Sequence, residues 1–272
     1  MFPAFPTDGC VFVAMSFDTM FTPRWEQVIA PAISRIEHQC LRLRPHRVDL
    51  SRASDAMVSE ILRGIGRATL VLADITASAD LNGRAVRNAN VMYEVGIAHA
   101  VRQPQEVILV RSDRGKLDFD IAGVRIHNYD PDADQEAACV WLSQLLSDSL
   151  NSVLTHRSLA LESAARRLSV PATQLLLEIS LDDGITVEHP AMNTFGDVLS
   201  GMQRTQAISQ LLELGALESV ITTFTQDQMS MTIDSICQVV RYRLTTFGQA
   251  LMVQIGVSMG AVQLDECPPI AK

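Results

Sequence analysis

Positive charge, cysteine and aromatic residues are all scarce in this chain, and each shortage removes a class of protein. Lys and Arg number 22 against 31 Asp and Glu over 272 residues, a net charge of −9. Residues 1–149 carry 15 basic and 19 acidic groups, a balance of −4, and residues 150–272 carry 7 and 12, a balance of −5. Neither half has the basic footprint that neutralises phosphates, so nucleic acid is not an expected partner. Five scattered cysteines (Cys10, Cys40, Cys139, Cys237 and Cys267) form no CxxC pair and no even disulfide framework. Buried, reduced thiols of a cytoplasmic protein are the expectation. No apolar run approaches the ~18 residues of a membrane span. The opening MFPAFPTDGC lacks a basic stretch leading into an apolar one, so neither a leader nor a membrane partner is expected. Aromatics are only 5%, which leaves Leu, Ile, Val, Ala and Met to fill the core. The dinucleotide fingerprint, the phosphate loop, HExxH and the nucleophile elbow are all missing. The six histidines have no metal-ligand spacing, so no metal and no cofactor are expected.

What is present divides into two halves. Before residue 150, apolar β-branched runs alternate with segments of helical period. Strands are expected at Val11–Phe17, Arg47–Leu50, Thr69–Ile75, Glu106–Arg111 and Val124–Tyr129. Between them, Pro23 suits a first helical turn, and Trp25, Val28, Ile29, Ala32, Ile33 and Ile36 share a helical face. Ser54 or Asp55 can cap a second helix with Met57, Val58, Ile61, Leu62 and Ile65 inward. Residues 76–87 read as a loop, 90–101 as a helix, and 133–154 as a long amphipathic helix. Such alternation implies an α/β, doubly wound parallel sheet of flavodoxin-like order 2-1-3-4-5. The second half, from about residue 156, reads as mainly helical. Arg204–Leu214 is strongly periodic and stops at Gly215, a β-like stretch follows at Val220–Phe224, and a helix is expected near Ser230–Val240. The closing RLTTFGQAL resembles the segment of winged-helix domains in which Leu-Thr-x-x-Gly opens a helix after the wing. A regulatory or assembly role fits this half.

In open α/β sheets, ligands bind beyond the carboxyl ends of the strands at the switch point. That rule selects Ser16, Phe17 and Asp18 after the first strand, Asp49 after the second and Asp74 after the third. NANVMYEVGIAHA, residues 88–100, points its helix N-terminus at the same edge. With Asn88 or Ala89 outside the helix, Asn90 and Glu94 share a face at i,i+4 spacing and Ala98 continues it. Val91, Val95 and Ile97 are left to pack on the sheet. The helix dipole alone favours an early Glu by ~0.3–1 kcal/mol. A gathering of Glu94, Asp74, Asn88, Asn90 and Asp49 at one edge exceeds what that accounts for.

The blocks VFVAMSFD, VLADIT, NxNVMYExGxAHA and LDFDI, in this order over residues 10–150, resemble nucleoside 2-deoxyribosyltransferase-like domains, flavodoxin-like relatives of the TIR-type NAD hydrolases. The resemblance implies an N-glycosidase or deoxyribosyltransferase-like enzyme acting on a nucleoside, nucleotide or NAD. By motif, Glu94 takes the place of the nucleophile and Asp74 that of the acid serving the leaving base. Phe17 matches the loop that covers the base, and Ser16, Asp49 and Asn90 join it on the substrate side. Asn88 stands where the transferases carry a sugar-binding Asp, and Asp120 falls in a matching block. Sites built at subunit contacts make a homo-oligomer the expected assembly. Fusions of TIR-related domains suggest, by analogy, a bacterial defence effector. The alternative is a non-catalytic nucleotide sensor or transcription regulator that uses the winged-helix-like half.

Overall fold

The computed structural model describes Phe5 and residues 8–38, 41–48, 54–81, 84–117, 123–179, 185–188, 195–221 and 239–258. Contacts divide the chain into two units, one of residues 6–156 and one of residues 157–272 joined by Phe5.

In the first unit, five parallel strands form one sheet: β1 (Asp8–Ala14), β2 (Arg44–His46), β3 (Ala68–Asp74), β4 (Val107–Arg111) and β5 (Ile126–Asn128). Their order is β2-β1-β3-β4-β5, the flavodoxin-like arrangement. Val11 stands opposite Leu70, Val71 opposite Val107, and Leu109 opposite Ile126. The helices are α1 (residues 22–34), α2 (Ser54–Arg67), α3 (Ala89–Val101) and α4 (Gln135–Arg167).

Strand alternation sends side chains to two cores. Val11, Val13, Leu70, Leu72, Ile108 and Val110 pack with Val28, Ile29 and Ile33 of α1 and with Leu142, Leu146 and Leu150 of α4. Phe12, Ala14, Val71, Ala73 and Leu109 pack on the other face with Ile61 and Ile65 of α2 and Val91, Val95 and Ala98 of α3. Both faces are thus covered, which is why β3 reads as a continuous apolar run.

Several boundaries differ from expectation. β1 ends three residues early, so Met15, Ser16 and Phe17 lie beyond the strand. The second strand is Arg44–His46 rather than Arg47–Leu50; it contains Pro45 and lies at the sheet edge, where a missing N–H is tolerated. The loop expected at 76–87 contains an antiparallel ribbon of Ala77–Leu81 with Arg84–Arg87. These short, polar strands carry no strong period-2 signal. α4 continues to Arg167, and the boundary between the two units falls within it. Leu146 is fully buried, while Val140 and Trp141 remain exposed. Within α1, residues Trp25–Ile29 form a π turn in which the Ala30 N–H donates to the Trp25 carbonyl. Pro31, which has no N–H to extend the ladder, follows at once.

The second unit holds α5 (Val170–Glu178), β6 (Ile185–Glu188), α6 (Phe195–Glu213), β7 (Leu217–Ile221), β8 (Val239–Leu244) and α7 (Thr246–Ser258). The three strands are antiparallel in the order β6-β8-β7. α6 is followed by Gly215 at φ +70°, a conformation that favours glycine. The Leu-Thr-x-x-Gly pattern has a local physical basis. Thr245 Oγ1 accepts from the Gly248 N–H and donates to the Gly215 carbonyl. A Cβ on residue 248 would stand 2.0 Å from the Ala216 carbonyl oxygen. The strand expected at Val220–Phe224 starts at Leu217. Most of the helix expected at 230–240 lies outside the described residues, and Val239 and Val240 begin β8. Among the described residues no helix is long and apolar enough to cross a membrane.

Candidate functional site

Parallel strands bring their carboxyl ends to one edge, and the singular side chains of the first unit gather there. Met15–Asp18 follows β1, Arg47 follows β2, Asp74 closes β3, Ser112 and Asp113 follow β4, and Tyr129 follows β5. The N-terminus of α3 faces the same edge through Asn88. Its Oδ1 accepts from the Asn90 and Val91 N–H groups, at 3.0 and 3.3 Å, and its Nδ2 donates to Ser16 Oγ at 3.2 Å. Ser16 Oγ donates in turn to Asp18 Oδ2 at 2.7 Å and accepts from the Asp18 N–H at 3.2 Å. Both polar ends of Asn88 and the hydroxyl of buried Ser16 are therefore used in tying the loop after β1 to α3.

Glu94 stands in the second turn of α3, half-buried, four residues beyond exposed Asn90. Val91, Val95 and Ala98 form the buried face of the helix. Ala98 was expected on the Glu94 face, but it lies three and seven residues beyond Val95 and Val91 and shares theirs, while Ile97 is only partly buried. Burial pushes the Glu94 carboxyl up to about 7, and the nearby Arg47 charge works against that rise. Arg47 lies 3.6 Å from the centre of the Phe17 ring and 5.4 Å from that of Trp25, and its Nη2 donates to the Ser16 carbonyl at 2.8 Å. Phe17 is 44% exposed, so part of its surface stays open at this edge although Arg47 lies against the ring.

Asp74 closes β3 at the same edge. Its side chain is 0% exposed and sits in a network of polar side chains. Oδ2 accepts from Arg24 Nη1 at 3.0 Å and from the Tyr129 hydroxyl at 2.6 Å. Oδ1 accepts from the Thr76 N–H at 3.0 Å and from the Thr76 hydroxyl. Arg24 reaches onward to Ser112 at 3.1 Å and Asp132 at 2.9 Å. Its guanidinium also stands 5.0 Å from the Phe21 ring centre and 5.7 Å from that of Tyr129. Burial, then the adjacent Asp74, raise the Tyr129 phenol well above its ordinary range, so it remains a donor. Four donors thus converge on the two buried oxygens of Asp74. It fastens the ends of β3 and β5 to α1.

Asp49 and Asp120 lie outside the described residues. Arg24, Arg47 and Tyr129 went unrecognised in the sequence, since a loop arginine or a strand-end tyrosine has no period to mark it. Arg24 does stand next to Pro23, at the turn where the helical period starts. Among the described residues, one groove of about 490 Å³ opens beside Ser112, Asn128 and Tyr129 and another of about 410 Å³ beside Met20, Ala79 and Gly115. Glu94 lines neither. Among the described residues no three His, Cys, Asp or Glu side chains gather as a metal-ligand set.

No protein-family model matches the chain, and no curated protein matches it. Among solved structures, the metal-soaked Flv1 flavodiiron core from Synechocystis sp. PCC6803 is similar over 54% of this chain and 36% of its own, at 13% identity and a TM-score of 0.34.

Proposed function

We propose that the first unit is an N-glycosidase or glycosyl transferase that breaks the base–sugar bond of a nucleoside, nucleotide or NAD at Glu94. The observation that carries this reading is a half-buried carboxyl, one turn into α3 at the strand-end edge, within the field of Arg47, whose guanidinium lies on the Phe17 ring.

The chemistry follows from that placement. Breaking a C–N glycosidic bond builds positive charge on the sugar, and a preorganised anion stabilises it. A Glu94 oxygen then bonds to the anomeric carbon as the C–N electron pair leaves with the base. Water resolves the ester: its oxygen bonds to the anomeric carbon, the bond to Glu94 breaks, and one proton is released. In a transferase a second base takes the place of water. Asp74, held by Arg24, Tyr129 and Thr76, supplies no proton to the base. That favours a leaving group needing none, as when the base is already cationic and departs neutral, which is the case for nicotinamide.

The test is chromatography of a mixture of NAD, nucleosides and nucleotides incubated with the full chain. Free base from the parent protein and none from Glu94→Gln is the expected outcome. Equal base release by both proteins overturns the assignment. A non-catalytic nucleotide sensor would bind at the same edge without releasing base, and the absence of a second acid from Asp74 is the observation in its favour.

A further inference from the structure

The strand-end edge holds a cation that the reaction above does not use. Arg47 is half-buried, with its guanidinium against Phe17 and near Trp25. Among the described residues its hydrogen bond goes to a backbone carbonyl, that of Ser16, and its Nε, like those of Arg24, Arg87 and Arg102, is buried. Among the described residues no carboxylate forms an ion pair with it, whereas the more deeply buried Arg24, Arg87 and Arg102 each have one. Glu94 acts on Arg47 through its field, without a hydrogen bond. Arginine withdrawn from water is ordinarily matched by an anion, and its planar fork suits phosphate oxygens in particular. The aromatic contact and the Ser16 carbonyl fix where the fork points, so a ligand anion would meet a preset group rather than a flexible one. The capped α3 N-terminus gives no competing site, because Asn88 already occupies its first free N–H groups.

We infer that Arg47 binds a phosphate of the substrate, so that the site takes phosphorylated nucleosides or dinucleotides in preference to free nucleosides. This deepens the proposed function and rests on the reading that the substrate binds at the Glu94 edge. The remaining guanidinium N–H groups would donate to the phosphate, while the sugar carbon lies toward Glu94 and the base toward Phe17.

The experiment uses full-length protein carrying Glu94→Gln, so that no turnover disturbs the equilibrium. Calorimetric titrations compare adenosine, guanosine, cytidine, uridine and nicotinamide riboside with their 5′-phosphates and with NAD. The expected result is that at least one phosphorylated ligand binds ten-fold or more tightly than its nucleoside. Adding Arg47→Met removes that preference, and Arg47→Lys restores part of it. A circular dichroism spectrum matching the parent's establishes that each variant is folded. Equal affinity within every pair, no binding by any ligand, or a phosphate preference that survives Arg47→Met overturns the inference. A phosphate preference lost in Arg47→Met, alongside no base release by the parent, would uphold Arg47 while refuting the glycosidase reading.

Discussion

Removing the Asp74 carboxylate should destabilise the first unit rather than remove a group from the chemistry. Asp74→Ala strips four donors of their acceptor and leaves Arg24, whose side chain is 6% exposed, without its buried counter-ion. Breaking a buried pair from one side costs ~3–5 kcal/mol, because the other charge stays buried. Asp132 retains a hold on Arg24 at 2.9 Å but is itself 73% exposed, so it offsets little of that. For a unit of this size each kcal/mol moves the midpoint by ~2–4 °C, so the expected fall is roughly 6–20 °C. Replacing both partners, with Arg24→Met and Asp74→Leu, should recover part of the loss, since an apolar pair leaves no charge stranded. Asp74→Asn, which keeps the shape, should retain base release within about ten-fold of the parent. A general acid removed from its reaction ordinarily costs ~10²–10⁴-fold. Thermal and urea denaturation followed by circular dichroism supply the first numbers, and chromatographic rates the second. An Asp74→Ala protein within ~1 kcal/mol of the parent, or an Asp74→Asn protein slowed more than about 100-fold while fully folded, refutes the reasoning.

The other predictions concern charge and surface. A Glu94 carboxyl raised from 4.5 to about 7 stabilises the fold below the unfolded value, and that contribution is lost as pH rises through about 7. Such a shift is worth at most ~3 kcal/mol, and for a half-buried group ~1–2 is expected. Glu94→Gln should therefore gain stability on the parent at pH 8 relative to pH 5, and equal differences at the two pH values in urea titrations would count against it. Base release by the carboxylate form should climb about ten-fold per unit below pH 7 and level off above it, and Arg47→Met should move that limb upward because Arg47 opposes the rise. Exposed Val140 and Trp141 on α4 make self-association expected, and light scattering that shows a monomer up to ~100 μM would contradict it. With 7 basic against 12 acidic residues after position 149, the full chain should not shift random duplex at ~0.1 M salt, and tight binding that weakens steeply with added salt would reverse that reading.

The fold was legible because burial on both faces of a parallel sheet leaves its mark on composition. VFVA, TLVLAD and EVILV stand out as apolar runs, and each proved to be a central strand. β2 and the 77–87 ribbon were obscured because edge and surface strands carry Arg, Pro, Ser and Asp, which say little about pleat. Asn88 was readable as a cap, since Asn before an apolar helical stretch satisfies the first N–H groups. Asp74 was readable as a strand-end acid, but its occupation was not. Arg24 is 50 residues away in sequence and Tyr129 is 55, and nothing local announces contacts at that separation. Arg47 escaped notice for a related reason: a cation–aromatic contact with Phe17 depends on two strand ends meeting, and strand register decides that.

The most direct measurement of the central claim is the rate of base release by the parent and by Glu94→Gln, on NAD and on the nucleotide and nucleoside mixture, at pH 8, where the carboxyl is ionised. The account predicts free base from the parent and a loss of at least ~10³-fold in the variant, whose spectrum and melting point stay at or above the parent's. Base release undiminished in a folded Glu94→Gln protein would contradict it.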